Sequence, residues 1–341
     1  MRALVLILAA AACGSPSPGG GGDGGGDDGG GGGSDADVPC DCLDAPATVD
    51  ALFDSPMADA PADTAVNTAC PTWCVENVAG VTGILYAVVA VSPSEAFAVG
   101  DGGVILHRTG GAWAPMTSGT TQNLRGVWAA SPMDVWAVGH GGTILRYNGS
   151  VWTPVTGVTT SDCAAVWGAG PNDVWVVATG RVHHYTGGTS WSMTSVAGTL
   201  LGISGTGPSD IWLATENGYL KHYTGGSWGT VMPTGGGAVT FTVHAMPGAV
   251  WTSNVTPGSE ALRLAGTTWT SFGTGSTIFQ SYHGAALNDV WAVGNTKVGR
   301  WNGTSWTTSV PTGNTNNLWG VSGSGSDVYV VGSGGTILHH N

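Results

Sequence analysis

LRGVWAASPMDVWAVGHGGTILRYNGSVW, residues 124–152, is the clearest copy of a pattern that this 341-residue chain repeats seven times. Each copy contains a triplet made of an acidic or small residue, an aliphatic residue and an aromatic residue. The triplets are Glu95-Ala96-Phe97, Asp134-Val135-Trp136, Asp173-Val174-Trp175, Asp210-Ile211-Trp212, Ala249-Val250-Trp251, Asp289-Val290-Trp291 and Asp327-Val328-Tyr329. Their aromatic residues are 39, 39, 37, 39, 40 and 38 residues apart. A fixed period in this range predicts an array of one repeated supersecondary unit.

The composition and the spacing within each repeat predict four short β-strands. The chain holds 59 glycines and 16 tryptophans, and only 9% of its residues are charged, which favours turns and strands over helices. The clearest copy divides into four apolar segments, residues 124–129, 134–138, 143–147 and 151–155. The second segment is apolar at consecutive positions, as expected where neighbouring sheets cover both faces. Four-stranded blades stacked radially meet this requirement.

The two ends of the repeat array complement each other. The last repeat stops after its third segment, at residues 336–341, and a spare fourth segment precedes the first repeat at residues 72–75. Each fourth segment carries a tryptophan. The set is Trp113, Trp152, Trp191, Trp228, Trp269 and Trp306, with Trp73 as the seventh member. We therefore predict an all-β, seven-bladed β-propeller over residues 70–341, in which the N-terminal strand completes the last blade and removes both exposed edges of the ring.

Two stretches carry a resemblance to a known family. AVGDGGVILHRTGGAW (98–113) and AVGHGGTILRYNGSVW (137–152) resemble the BNR or Asp-box β-propellers, and are most similar to the bacterial branch related to photosystem II assembly and stability factors. The segment 147–152 departs from the Asp box, because the spacing from Ser or Thr to Asp is absent. Tyr147-Asn148-Gly149 and Trp301-Asn302-Gly303 also resemble tectonin repeats, which form lectin-like propellers. The resemblance implies a propeller over about residues 73–341 and transfers no defined activity.

The first 69 residues differ in kind from the repeats. Residues 1–12 combine a basic start, a short apolar run and small residues, which indicates a signal peptide. Ala10-Ala11-Ala12-Cys13 resembles a bacterial lipobox, so we expect Cys13 to carry a lipid; the alternative is ordinary signal cleavage beside an incidental cysteine. Residues 13–69 are rich in Gly, Asp, Ala and Pro, which predicts a disordered tether. We therefore expect an exported lipoprotein, anchored to a membrane of the bacterial cell envelope.

The net charge of −13 is concentrated in this tether. Residues 14–69 hold eleven aspartates and no basic residue, whereas residues 70–341 hold eleven acids against eight lysines and arginines. A nearly neutral repeat domain lacks the broad basic surface that nucleic acid requires, so nucleic acid is not an expected partner.

The six cysteines fit an exported protein. Cys163 aligns with leucines of other repeats, which predicts a buried apolar position. Cys40, Cys42, Cys70 and Cys74 form an even set near the start of the propeller. Up to two disulfides among these four are expected, and their connectivity is left open.

The third segment of each repeat carries a basic residue at one position. The set is His107, Arg146, His184, His222, Arg263, Arg300 and His339. Because six repeats carry an acid at the head of the second segment, we interpret these residues as structural, each paired with the acid of its own repeat. The alternative is a basic ring that binds an anionic ligand. The adjacent histidines at 183–184 and 339–340 point to opposite faces of a strand, so no metal site is predicted.

No set of residues predicts catalysis, and no cofactor is expected. The leading interpretation is a monomeric, non-catalytic, surface-displayed propeller that binds a protein or a glycan. The alternatives are a tectonin-like lectin and a degenerate, sialidase-like glycoside hydrolase. The arginine cluster, tyrosine nucleophile and acid of a sialidase do not map onto this sequence.

The turns between the second and third segments differ from repeat to repeat, whereas the strand segments stay similar. Propeller turns of this kind lie on one rim, and variable tips on a constant scaffold are where recognition is expected. The fifth repeat departs most, since Ala249 replaces its acid. The predicted partner-binding residues are Arg181, Glu216, Glu260 and Lys297. The alternative is that solvent-exposed turns vary between repeats without a role in binding.

Overall fold

The computed structural model describes residues 73–233, 242–254, 260–275 and 277–341. These residues form seven antiparallel sheets of four strands each, arranged as a β-propeller. The predicted seven-bladed all-β fold is therefore confirmed. No α-helix occurs within the described residues, and the helical elements there are three 3-10 turns at Asp101–Gly103, His140–Gly142 and Ser333–Gly335.

The strands are numbered β1 to β28 in chain order. The first strand, β1, is Cys74–Val75. Blade one is β2 (Leu85–Ser92), β3 (Glu95–Gly100), β4 (Ile105–Thr109) and β5 (Ala112–Met116); blade two is β6 (Leu124–Ser131), β7 (Asp134–Gly139), β8 (Ile144–Tyr147) and β9 (Trp152–Pro154); blade three is β10 (Cys163–Gly170), β11 (Asp173–Ala178), β12 (Arg181–Tyr185) and β13 (Trp191–Ser195); blade four is β14 (Leu200–Gly207), β15 (Asp210–Thr215), β16 (Leu220–Tyr223) and β17 (Trp228–Val231). Blade five is β18 (Val243–Met246), β19 (Ala249–Asn254), β20 (Glu260–Ala265) and β21 (Thr268–Gly273); blade six is β22 (Ser281–Ala286), β23 (Asp289–Gly294), β24 (Lys297–Trp301) and β25 (Trp306–Ser309); blade seven is β26 (Leu318–Ser324), β27 (Asp327–Gly332), β28 (Ile337–His340) and β1.

Burial falls from the inner strands to the outer strands of each blade. The first strands of neighbouring blades contact one another around the ring, and the second strands are buried at five of their six positions in blades one to four. The outer strand β13, in contrast, has no buried residue. Trp136, Trp251 and Trp301 are fully buried between blades. Each such side chain contributes on the order of 2–3 kcal/mol of apolar burial.

The Ala-Val-Gly-x-Gly-Gly motif of the sequence places backbone against backbone. The amide of His140 donates to the carbonyl of Asn123, in the loop that enters the same blade. A Cβ on Gly139 would lie 2.0 Å from that carbonyl oxygen, so only glycine fits there. Gly141, with φ of 63°, then makes the left-handed turn into the third strand. The motif therefore ties the turn between the second and third strands to the blade-to-blade loop.

Blade seven is built from both ends of the chain, as the repeat count predicts. Strand β1 pairs with β28, with Cys74 opposite His339 and Val75 opposite Leu338. Blades one and seven are also joined directly, since the amide of Ala90 donates to the hydroxyl of Ser322 at 3.0 Å. These contacts close the ring.

Glu76, directly after β1, binds residues from both blades at this junction. Its carboxylate accepts hydrogen bonds from Arg108 Nε and Nη2 at 3.0 and 3.2 Å, from Trp113 Nε1 at 2.9 Å and from His339 Nδ1 at 3.0 Å. Burial by itself would raise the pKa of Glu76, but the hydrogen bonds from His339 and Arg108 outweigh it and lower the pKa to about 2. Glu76 falls outside the repeat pattern, and the sequence gives no sign of this role.

The predicted signal peptide (1–12), the tether (13–69) and the cysteines Cys13, Cys40, Cys42 and Cys70 lie outside the described residues. Cys74 is disulfide-bonded, and its partner is not among the described residues. Cys163 is a free, buried thiol in the leucine position, and burial raises its pKa to about 12. Within the described residues, no helix has the length and apolar character needed to cross a membrane.

We predict that Glu76→Gln lowers the free energy of unfolding by about 2 kcal/mol, because three donors lose a charged acceptor. The folded-state pKa lies below the ordinary value of 4.5, so the contribution of Glu76 is fully present above that pH and is lost as the pH falls towards 2. Urea unfolding across this pH range should therefore give a shallower acid limb for the variant. Glu95→Gln is the matched control, since Glu95 accepts one hydrogen bond, from His107. Equal effects of the two substitutions would contradict a special role for Glu76.

Candidate functional site

The basic residues of the third strands belong to a structural unit that recurs around the ring. In blade two, Arg146 lies opposite Trp136 in the sheet register. Asp134 is two residues before Trp136 and therefore on the same face of the sheet. Arg146 Nε and Nη2 donate to the Asp134 carboxylate at 2.8 and 3.0 Å, and the guanidinium carbon lies 4.8 Å from the Trp136 ring centre. Acid, base and aromatic ring thus form one stacked unit.

Six of the seven blades contain this unit. The nitrogen–oxygen distances are 3.0 Å for His107–Glu95, 2.8 Å for Arg146–Asp134, 2.7 Å for His184–Asp173, 2.8 Å for His222–Asp210, 3.0 Å for Arg300–Asp289 and 2.8 Å for His339–Asp327. The four histidines also stack on the aromatic residue of the second strand, with ring centres 3.6–4.5 Å apart. Each of these six basic side chains is engaged within its own blade, which favours the structural interpretation over a basic ring that binds ligand.

Blade five departs from this arrangement. Arg263 occupies the basic position opposite Trp251, but Ala249 stands where the acid would be. The three arginines that a sialidase-like site would have to bring together, Arg146, Arg263 and Arg300, lie in equivalent positions of three blades. Two of them already bond an acid.

The four predicted partner-binding residues lie at the turns between second and third strands, one in each of blades three to six. Arg181, Glu260 and Lys297 open third strands, and Glu216 directly follows a second strand. Arg181 and Glu216 are exposed, whereas Glu260 and Lys297 are half-buried. No hydrogen bond or ion pair joins any two of these four described residues. They therefore share a rim without forming a cluster.

The same rim carries two adjoining cavities over blades one and two. The larger, of about 690 Å³, is lined by residues 102–105 and by the blade-to-blade loop 117–122. The smaller, of about 370 Å³, is lined by residues 141–145 and 155–157 and by Thr159. Both include Ser118, Gly119 and Thr120. No spacing within a single repeat places these Ser, Thr and Gly loops against one another, because the grooves form between blades.

Two histidines, one buried and one half-buried, were missed at the sequence level. His244 in blade five and His283 in blade six lie 6.3 Å apart between ring centres and line a small cavity of about 110 Å³. Neither ring nitrogen of His244 has a hydrogen-bond partner among the described residues. Burial and the neighbouring His283 lower the pKa of His244 to about 3. Burial likewise lowers the pKa of His283 to about 4, although Asp289 opposes the shift. The only sequence signal is that histidine stands here where the other repeats carry Val89, Trp128, Trp167 or a serine.

The comparisons with known proteins concern this fold. No protein-family model and no curated protein matches the sequence. Among solved structures, YCF48 from Cyanidioschyzon merolae superposes with a TM-score of 0.66 at 15% identity, covering 79% of this chain and 99% of that one. The fold resembles that of YCF48.

A second YCF48 structure, described as bound to a D1 peptide, superposes with a TM-score of 0.65 at 14% identity over 79% of this chain and 94% of that one. A catalytically inactive virginiamycin B lyase from Staphylococcus aureus, with quinupristin, gives a TM-score of 0.55 at 12% identity, covering 78% and 98% of the two chains. At these identities the similarity establishes the propeller fold alone.

We predict that His244 and His283 make the propeller acid-sensitive. Because their folded-state pKa values lie below the ordinary 6.5, the unfolded chain binds more protons below that pH, and stability falls as the pH decreases. Each fully buried histidine adds a slope of about 1.4 kcal/mol per pH unit. His283 retains some exposure, so His244 should contribute more.

Urea unfolding of the wild type and of His244→Gln between pH 6.5 and pH 4 measures this effect. The variant should lose less stability on acidification, whatever its stability at neutral pH. Parallel pH profiles for the two proteins would show that His244 does not titrate with unfolding.

Proposed function

We propose that this protein is a non-catalytic binding propeller that holds a segment of a partner polypeptide on the rim that carries the turns between second and third strands. The observation that carries the proposal is the pair of adjoining cavities that share residues 118–120. Together they form a groove that crosses two blades on this rim. The two cavities have volumes of about 690 and 370 Å³, and concave surfaces of this kind are the default place for recognition.

The lining of the groove suits an extended polypeptide. Thr117, Thr121 and Gln122 are exposed and present hydroxyl and amide groups. Val81, Val104 and Met116 add apolar surface to the same cavity. A peptide needs both, because its backbone requires hydrogen-bond partners and its side chains require apolar contact.

The structural neighbours support the proposal at the level of the fold. One YCF48 structure is described as bound to a D1 peptide, which supports a polypeptide as the class of partner. A lyase with the same architecture keeps the enzyme alternative open to test. The six matched acid–base pairs of this chain fix blade structure, and we assign no catalytic role to them.

A glycan is the other class of ligand that a rim of hydroxyl groups would suit, as the resemblance to tectonin repeats implies. We favour the polypeptide because the groove crosses two blades and is partly apolar. Parallel screening on a peptide array and a glycan array with the purified full chain separates the two. Retention on glycans alone would overturn the polypeptide assignment.

We predict that Thr121→Trp, which fills the larger cavity, weakens binding of an array-selected peptide at least tenfold, or about 1.4 kcal/mol. The combined substitution of Arg181, Glu216, Glu260 and Lys297 by alanine tests the rest of the rim and should weaken binding with little change in melting temperature. Met133→Trp is the control, because Met133 is exposed in a turn on the opposite rim. Fluorescence anisotropy measures the affinities. Loss of binding with the control variant alone would place the site on the other rim.

We also propose that the protein acts at the bacterial cell envelope, anchored by a lipid on Cys13. The support is the apolar run that ends at this cysteine and the acidic, glycine-rich segment that follows it. Cells grown with a palmitate analogue should label the wild type, and Cys13→Ala should abolish the label. The protein should also partition into detergent. Labelling that persists in the variant would contradict the assignment.

A further inference from the structure

Arg263 lacks the acid that binds its counterpart in six other blades. Ala249 stands in blade five where Asp134 stands in blade two. Its side chain is a methyl group, so it provides no carboxylate for Arg263. Among the described residues, no acid lies within ion-pair distance of Arg263. Blade five therefore keeps the base and the aromatic ring of the unit without the acid.

A second acceptor is also missing. In blade two, Arg146 Nη1 donates to the hydroxyl of Tyr185, which reaches over from the next blade. The residue that reaches over Arg263 is Trp301. The guanidinium carbon of Arg263 lies 5.5 Å from the centre of the Trp301 ring. Its indole Nε1 donates to the carbonyl of Leu287 and has no acceptor to offer. Arg146 thus makes three hydrogen bonds, and Arg263 makes none among the described residues.

The guanidinium of Arg263 is nevertheless held in place. Its carbon lies 5.7 Å from the ring centre of Trp251 and 5.4 Å from that of Phe272, in addition to Trp301. Its Nε is buried without a hydrogen-bond partner, although the side chain as a whole is half-buried. A fixed cation between aromatic rings, with unused donors, is preorganised for an anion, and the rings exclude the water that would weaken the interaction.

We propose that Arg263 is a binding position for a carboxylate group supplied from outside the propeller. The carboxylate takes the place that Asp134 occupies in blade two, accepting from Nε and from one terminal nitrogen, the two-point geometry that guanidinium groups favour. Thr270, which is opposite Arg263 on the outer strand, is exposed, so this edge of the blade is open to solvent.

The carboxylate can come from two sources, an acidic polypeptide or a free carboxylic acid. Ala249 directly follows the turn between the first and second strands of blade five. The proposed carboxylate position beside it therefore lies towards the rim opposite the groove. The proposal is therefore independent of the proposed function, and either can fail alone.

The experiment follows the Nε–H resonance of Arg263 by nitrogen-15 NMR in the full chain, assigned by its loss in Arg263→Gln. The probes are sodium acetate, glucuronate and a capped peptide of alternating glycine and glutamate, with its glutamine counterpart as the uncharged control. We expect a saturable shift of the Arg263 resonance with the acids and none with the glutamine peptide. The Arg146 resonance should not move, because the Nε–H of Arg146 already donates to Asp134.

Ala249→Asp supplies the missing acid from within, and Ala249→Asn is its uncharged match. The aspartate variant should raise the melting temperature and reduce acetate affinity at least tenfold, whereas the asparagine variant should retain most of the affinity. If the aspartate variant does not fold, Arg263→Gln still tests the site through loss of peptide binding in anisotropy.

A shift with acetate but not with the peptide assigns the position to a free acid, and tighter binding of the peptide assigns it to a polypeptide. Absence of a saturable shift at tens of millimolar acetate, or an equal shift of Arg146, would overturn the proposal.

Discussion

The ring depends on one carboxylate that belongs to no repeat. Glu76 follows a strand of only two residues, too short to secure the two ends of the chain through its own ladder. Its two carboxylate oxygens accept hydrogen bonds from Arg108 and Trp113 of blade one and from His339 of blade seven. The contact joins residues that are more than two hundred positions apart in sequence. Because the ring closes in this way, each of the seven blades is held between two neighbours.

Within the ring, the unit of acid, base and aromatic ring fixes six of the seven blades at the end opposite the proposed groove. It combines a charge-assisted hydrogen bond with ring stacking, and the residue that follows the base packs on the preceding blade, as Tyr185 does on Trp136 at 5.3 Å. Because this end is rigidly specified, the turns at the other end are free to vary without loss of register. Strand conservation among repeats and turn divergence therefore follow from the same packing.

The sequence was sufficient for the fold because each relevant signal is periodic or countable. The spacing of the aromatic residues gave the number of blades, and Trp73 with the truncated last repeat gave the closing strand. Cys163 was placed in the core by alignment with Leu124, and it is buried there. The positions of Arg181, Glu216, Glu260 and Lys297 on a common rim also followed from the order of strands, since turns between second and third strands must lie at one end.

Contacts between blades were not predictable in the same way. The grooves arise where a loop of one blade passes the turn of another, and no spacing within one repeat encodes that distance. The sequence showed that Ala249 replaces an acid. The loss of the second acceptor could be recognised only from the structure, in which Trp301 covers Arg263 as Tyr185 covers Arg146. Glu76 offered no signal, because it has no counterpart in the other repeats against which to compare it.

Repetition makes the departures informative. At the first-strand position opposite the second-strand aromatic, Ser204 and Ser322 each accept a hydrogen bond from an amide of the next blade, whereas His244 at the same position has no partner among the described residues. Arg263, in the same blade as His244, lacks both of its acceptors. Each departure leaves a buried polar group unsatisfied, which lowers stability, so blade five is the least self-sufficient of the described blades. In a repeat array the other copies show that a satisfied arrangement is available to the fold. For Arg263, whose side chain is half-buried, the proposed external carboxylate would supply the acceptor that the other copies provide from within.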